Sequence, residues 1–164
     1  MAVIAVILVA AVALGAILIG PVTQTITQTI TPAPPNYGTI TVPDISLPLV
    51  QAGTSFSYNV YDYEPIQWIT VVLGPDGVGK SLTMTLTNAD AYTSYRVQLL
   101  ADTFPEGATL QQYSGFDVEQ PSPVDSIVLD KEGTYKFYQT FNGTAGNTTG
   151  SAAVIIDLTL EDTP

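Results

Sequence analysis

Two patterns of apolar residues divide the chain. From Met1 to Gly20, MAVIAVILVAAVALGAILIG, apolar positions are continuous, with no charge and no strong hydrogen-bonding side chain. Wound as a helix, Val3, Ile7, Val9, Leu14, Ile17 and Leu18 would cover every face, so the helix would need apolar surroundings on all sides. At ~1.5 Å per residue it would reach roughly 30 Å, the hydrocarbon thickness of a bilayer. Small residues spaced four apart, Ala11 with Gly15 and Ala16 with Gly20, would let helix backbones approach closely. The next piece, Thr23–Thr31 (TQTITQTIT), reads two ways. At period two it is a strand with threonines on one side. At period four it extends an apolar face through Leu18, Val22, Ile26 and Ile30. The second reading predicts a helix over 1–30 that is kinked at Pro21. Thr31-Pro-Ala-Pro-Pro35 then stops it, because proline forces the residue before it out of the helical region. Residues 31–36 become a semi-rigid linker.

From residue 37 onward the period is two. Thr39–Val42, Ile45–Val50, Phe56–Tyr61, Trp68–Leu73, Leu82–Thr87, Tyr95–Leu100, Ser126–Leu129, Tyr135–Phe141 and Ala153–Leu160 read as short strands. Leu82-Thr-Met-Thr-Leu-Thr87 alternates most regularly, with Leu, Met and Leu facing inward. Gly, Pro, Asn and Asp punctuate the gaps. Strands at this spacing predict an all-β immunoglobulin-like sandwich over 37–164. Glu132-Gly-Thr-Tyr135 adds a local signal, since a Tyr opening a strand just after a Gly is the setting of a tyrosine corner.

Charge sharpens the division. The net charge is -11, from 15 acids against 4 bases, and no acid precedes Asp44. An acidic head repels nucleic acid and anionic lipid surfaces, so neither is expected as a partner. No Lys or Arg precedes Lys80, so no basic flank orients the apolar run. The expectation that follows is that a basic leader has been removed and Met1 opens a mature chain. The chain has no Cys and no His, which excludes disulfides, zinc-thiolate sites and His-dependent nucleophilic triads. No cofactor and no catalytic residue is expected.

Three motifs remain. Gly74-Pro-Asp-Gly-Val-Gly79-Lys80-Ser81 matches the phosphate-binding loop pattern. That loop works by aiming a helix N-terminus at phosphate, and here a strand pattern follows, so an ordinary turn is expected. Asn142-Gly-Thr144 and Asn147-Thr-Thr149 are N-glycosylation acceptors in what reads as an exposed hairpin loop. The carboxylate pairs Asp62/Glu64 and Asp117/Glu119 each share a strand face, without the spacing of a metal cage, and are read as solvated acidic surface.

An uncharged apolar leading helix, AVIAVILVAAVALGAILIG, joined by a short linker to a cysteine-free, acidic β-head, resembles a mature archaeal type IV pilin or its archaellin relative. The acid that bacterial pilins carry near the start of the helix is missing, with Ile4, Ala5 and Val6 in its place. The resemblance implies a pilin-like fold, a long N-terminal apolar α-helix plus an all-β immunoglobulin-like head. It also implies an extracellular adhesion filament built by helix bundling. The partners would be other copies of the chain, the membrane before assembly, the pilus assembly machinery and N-linked glycans. A motility filament and a monomeric membrane-anchored binding module are the alternatives.

Overall fold

A computed structural model describes residues 23–31, 37–43, 45–48, 52–59, 66–146 and 154–163. Eleven strands carry the architecture: β1 (Thr23–Thr31), β2 (Gly38–Thr41), β3 (Ile45–Pro48), β4 (Ser55–Asn59), β5 (Ile69–Leu73), β6 (Lys80–Leu86), β7 (Tyr92–Thr103), β8 (Gly115–Glu119), β9 (Val124–Leu129), β10 (Gly133–Ala145) and β11 (Ile155–Glu161). One sheet runs β3-β1-β11-β6-β9 and the other β2-β5-β10-β7-β8. β5 and β4 share one edge of β10 end to end. Gly133–Phe137 pair with β5, Thr140–Thr144 pair with β4, and β7 occupies the opposite edge.

Period-two patterning sets this arrangement. In β6 Leu82, Met84 and Leu86 are buried while Thr83 and Thr85 stay partly exposed, as the alternation predicts. β11 repeats the pattern with Ile156, Leu158 and Leu160. From the second sheet Ile69, Val71 and Leu73 on β5, Val97 and Leu99 on β7, and Tyr135, Phe137 and Phe141 on β10 meet them in one core.

The expected N-terminal helix is corrected where the structure describes it. Thr23–Thr31 form β1, and no helix of seven or more residues occurs among the described residues. None there is long and apolar enough to cross a membrane. The reason is tertiary. β1 runs parallel to β11, with Thr27–Thr31 registered against Ile155–Thr159, and antiparallel to β3, with Thr23–Ile26 against Pro48–Ile45. Both ladders use backbone groups that a helix would satisfy internally, and β-branched Thr and Ile favour the strand. The long-helix, pilin-like architecture therefore gives way to a two-sheet β-fold that takes in residues 23–31. The helix-packing residues Ala11, Gly15, Ala16 and Gly20, the kink at Pro21 and the linker prolines lie outside the described residues.

The tyrosine corner is present. Fully buried Tyr135 donates its phenol proton to the Lys131 carbonyl at 2.8 Å and accepts the Lys131 N–H at 3.1 Å. It thereby pins the β9–β10 crossing between sheets. Tyr135→Phe keeps the ring and strands both Lys131 groups, so it should lower unfolding free energy by about 1–3 kcal/mol in urea melts.

Buried phenols also set an alkaline limit. Burial pushes Tyr92 up to about 12, against a weaker opposing hydrogen bond with Asn88. Burial raises Tyr95, Tyr135 and Tyr138 as well. A phenol whose folded value lies above its unfolded value contributes stability that is complete below pH ~10 and is lost as pH climbs through the folded value. For Tyr92 that loss falls between pH ~10 and ~12. Denaturant melts across that range should show the decline, and Tyr92→Phe should flatten its share.

Candidate functional site

The outer face of the second sheet carries a grid of polar side chains across four neighbouring strands. Because side chains alternate and the core takes one set, register alone aligns the others into rows. One row is Glu119, Arg96, Asn142 and Ser57, from β8, β7, β10 and β4. The next is Asp117, Gln98, Thr140 and Asn59, and a third, shorter row is Ser94, Thr144 and Ser55.

Hydrogen bonds run along and between these rows. Ser57 Oγ donates to Asn142 Oδ1 at 2.6 Å. The Ser55 and Thr144 hydroxyls lie 2.9 Å apart, and Thr140 Oγ1 donates to Gln98 Oε1 at 3.3 Å. Arg96 Nε donates to Asp117 Oδ2 at 2.7 Å and lies 3.7 Å from Glu119 Oε2. These ion pairs are half-exposed and contribute little to stability; their effect is to hold the Arg96 guanidinium beside the two carboxylates. A shallow groove of about 330 Å³ opens here, floored by Gly143 and flanked by Phe56, Tyr95, Arg96 and Asn142.

Chemically the face is a flat array of hydroxyl and amide groups around one clasped cation. It can hydrogen-bond a polyhydroxylated or hydrated surface. It offers no activated nucleophile. Asp117 and Glu119 do share a face as expected, but both turn to Arg96. Among the described residues no group of three or more potential ligands could hold a metal ion. The pair Asp62/Glu64 lies outside the described residues.

The other sequence motifs fall elsewhere. Asn142 is exposed but sits inside β10, paired on both edges, and not in a hairpin loop. The strand runs on to Ala145 because Phe141 and Ala145 are buried and hold it in the sheet. Its acceptor-motif Thr144 is bonded to Ser55. A sugar on Asn142 would stand on the polar face itself. Asn147 lies outside the described residues. The phosphate-loop match is a crossing between sheets: Pro75–Gly77 form a 3-10 turn, Gly79 takes φ +83°, and Lys80 opens β6. Ser81 is buried, with its hydroxyl toward Thr163 Oγ1 at 3.3 Å. Lys80 Nζ pairs with Asp162 at 2.5 Å and lies 4.7 Å from the Tyr37 ring centroid, while Tyr37 Oη donates to the same carboxylate at 2.8 Å. Those two hydrogen bonds, that from Lys80 first, hold the Asp162 carboxyl below its ordinary value. The lysine that would have met a phosphate instead fastens the end of β11.

No protein-family model matches the chain, and no curated protein matches it. The polar grid itself was missed in the sequence. Its only local trace is the isolated Arg96 within an alternating strand, and its neighbours come together solely through register.

Proposed function

We propose that this chain is a non-enzymatic structural subunit of an extracellular, self-associating surface filament that makes adhesive contacts through the polar outer face of its β-fold. The observation that carries the reading is the join at residue 23. An uncharged apolar segment, residues 1–20, leads almost directly into a strand that is part of the acidic β-structure. At about 25 cal/mol per Å², burying some twenty apolar residues is favourable by tens of kcal/mol, so this segment demands a partner or a lipid phase. Several copies attached through it would display their β-folds outward. The absence of His and Cys from the sequence and the engagement of Asp117 and Glu119 by Arg96 support a binding surface over a catalytic one. The net charge of -11 keeps such a coat soluble.

The test is electron microscopy of material sheared from cells making the full chain, with mass spectrometry of the fibres. Fibres containing this chain are expected. A chain that stays monodisperse in lipid, with no fibres on the cell surface, supports the anchored monomeric module and overturns the filament reading.

A further inference from the structure

We propose that β1 is an exchangeable strand: in the assembled filament the slot between β11 and β3 receives Thr23–Thr31 from a second copy of this chain. The inference rests on the filament reading and names the contact that builds it.

Four observations lead there. First, β1 makes the only parallel ladder among the described strands, and it is an N-terminal strand set against the C-terminal one. Without it the β11–β6 and β6–β9 ladders and the whole second sheet remain, so the slot is an edge to which a strand is added. Second, β3 pairs only with β1 among the described strands, so it joins the sheet through β1 and closes over whichever β1 strand occupies the β11 edge.

Third, the slot is keyed by a polar contact. Gln139, at 1% exposure, projects from β10 within an otherwise apolar core. Gln28 Nε2 on β1 donates to its Oε1 at 2.8 Å. The remaining atoms of the two amides, Gln28 Oε1 and Gln139 Nε2, are buried without a partner. A half-satisfied buried amide pair weakens the seat relative to an apolar strand while fixing its register. A strand held this way is specific and releasable. Fourth, the sequence between β1 and β2 is Pro32-Ala-Pro-Pro35-Asn-Tyr37, a composition that favours extended backbone over chain reversal. Six such residues span about 19 Å at ~3.1 Å each, enough to reach a neighbour.

Within one chain the tethered strand competes at an effective concentration in the millimolar range. Crowding of many copies through residues 1–20 raises the local concentration of foreign β1 strands to match. Because donor and acceptor surfaces differ, each exchange leaves a free slot at one end and a free strand at the other, and the assembly grows open-ended.

The cysteine-free sequence gives a clean test. Register places Thr31 opposite Thr159. Full chains carrying Thr31→Cys and full chains carrying Thr159→Cys, with different tags, are co-expressed, and fibres or membrane fractions are treated with a mild oxidant. The double variant on one chain is the control. Disulfide-linked pairs joining the two tags, together with covalent ladders of many subunits from the double variant, are the expected result. Fibres whose double variant bridges only within a chain would overturn the exchange while leaving the filament reading intact. Bridging within monomers, with no fibres, would overturn both. No bridge in either arrangement would also overturn the exchange, because β1 then does not lie beside β11.

Discussion

Phe141→Ala will remove about 3–5 kcal/mol of unfolding free energy. Phe141 has no exposure and stands on β10 between Tyr58 of β4 and Val97 of β7. Its ring stacks on Phe56 at 4.8 Å and meets Tyr92 edge-on at 5.7 Å. Neighbours drawn from both flanking strands, β4 and β7, cannot all collapse into the space left behind. β4 will suffer most, since its only ladder among the described strands is with β10. Urea denaturation measures the global loss, and hydrogen exchange at Ser55–Asn59 should show β4 opening ahead of the rest. Phe141→Leu fills much of the space and should cost clearly less.

Gly115→Ala will destabilise by about 3 kcal/mol, for the opposite reason. Gly115 opens β8 and is registered against Leu100. A Cβ there would lie 1.8 Å from the Leu99 carbonyl oxygen, a backbone atom that cannot turn aside. Gly79→Ala provides the contrast. Gly79 has a positive φ with nothing within 4 Å of a would-be Cβ, so only left-handed strain is paid, on the order of 1 kcal/mol. Thermal melts of the two variants should separate, with β8 amides losing protection only in Gly115→Ala.

What could be read from the chain alone followed how local its cause was. Leu82–Leu86 declared itself because alternation is an adjacent-residue property, and Tyr135 because its hydrogen bonds close over four residues. Thr23–Thr31 misled because Ile26 and Ile30 fit a helical face as well as a strand. The decision came from Ile155–Thr159, far along the chain. β8 is signalled only by the shared face of Asp117 and Glu119 and is missing from the strands the alternation predicts, since Phe116 and Val118 are its only inward residues, in a stretch rich in turn formers. The polar face was invisible for the same reason as β1. Arg96, Asn142 and Ser57 belong to three separated segments, and only pairing aligns them. Asn142 lies in a strand where a loop is expected, because burial of Phe141 and Ala145 outweighs the turn tendency of the Gly and Thr residues beside it.

The parallel course of β1 beside β11 has a mechanical consequence. Tension entering at Thr23 and resisted by the rest of the sheet acts along the strand axis. It loads the rungs from Thr27 to Thr31 simultaneously, in shear, where a pull across the sheet would peel them one by one. Whether that strand is native to the subunit or borrowed from its neighbour, a tug along the N-terminal tether meets the joint in its strongest direction.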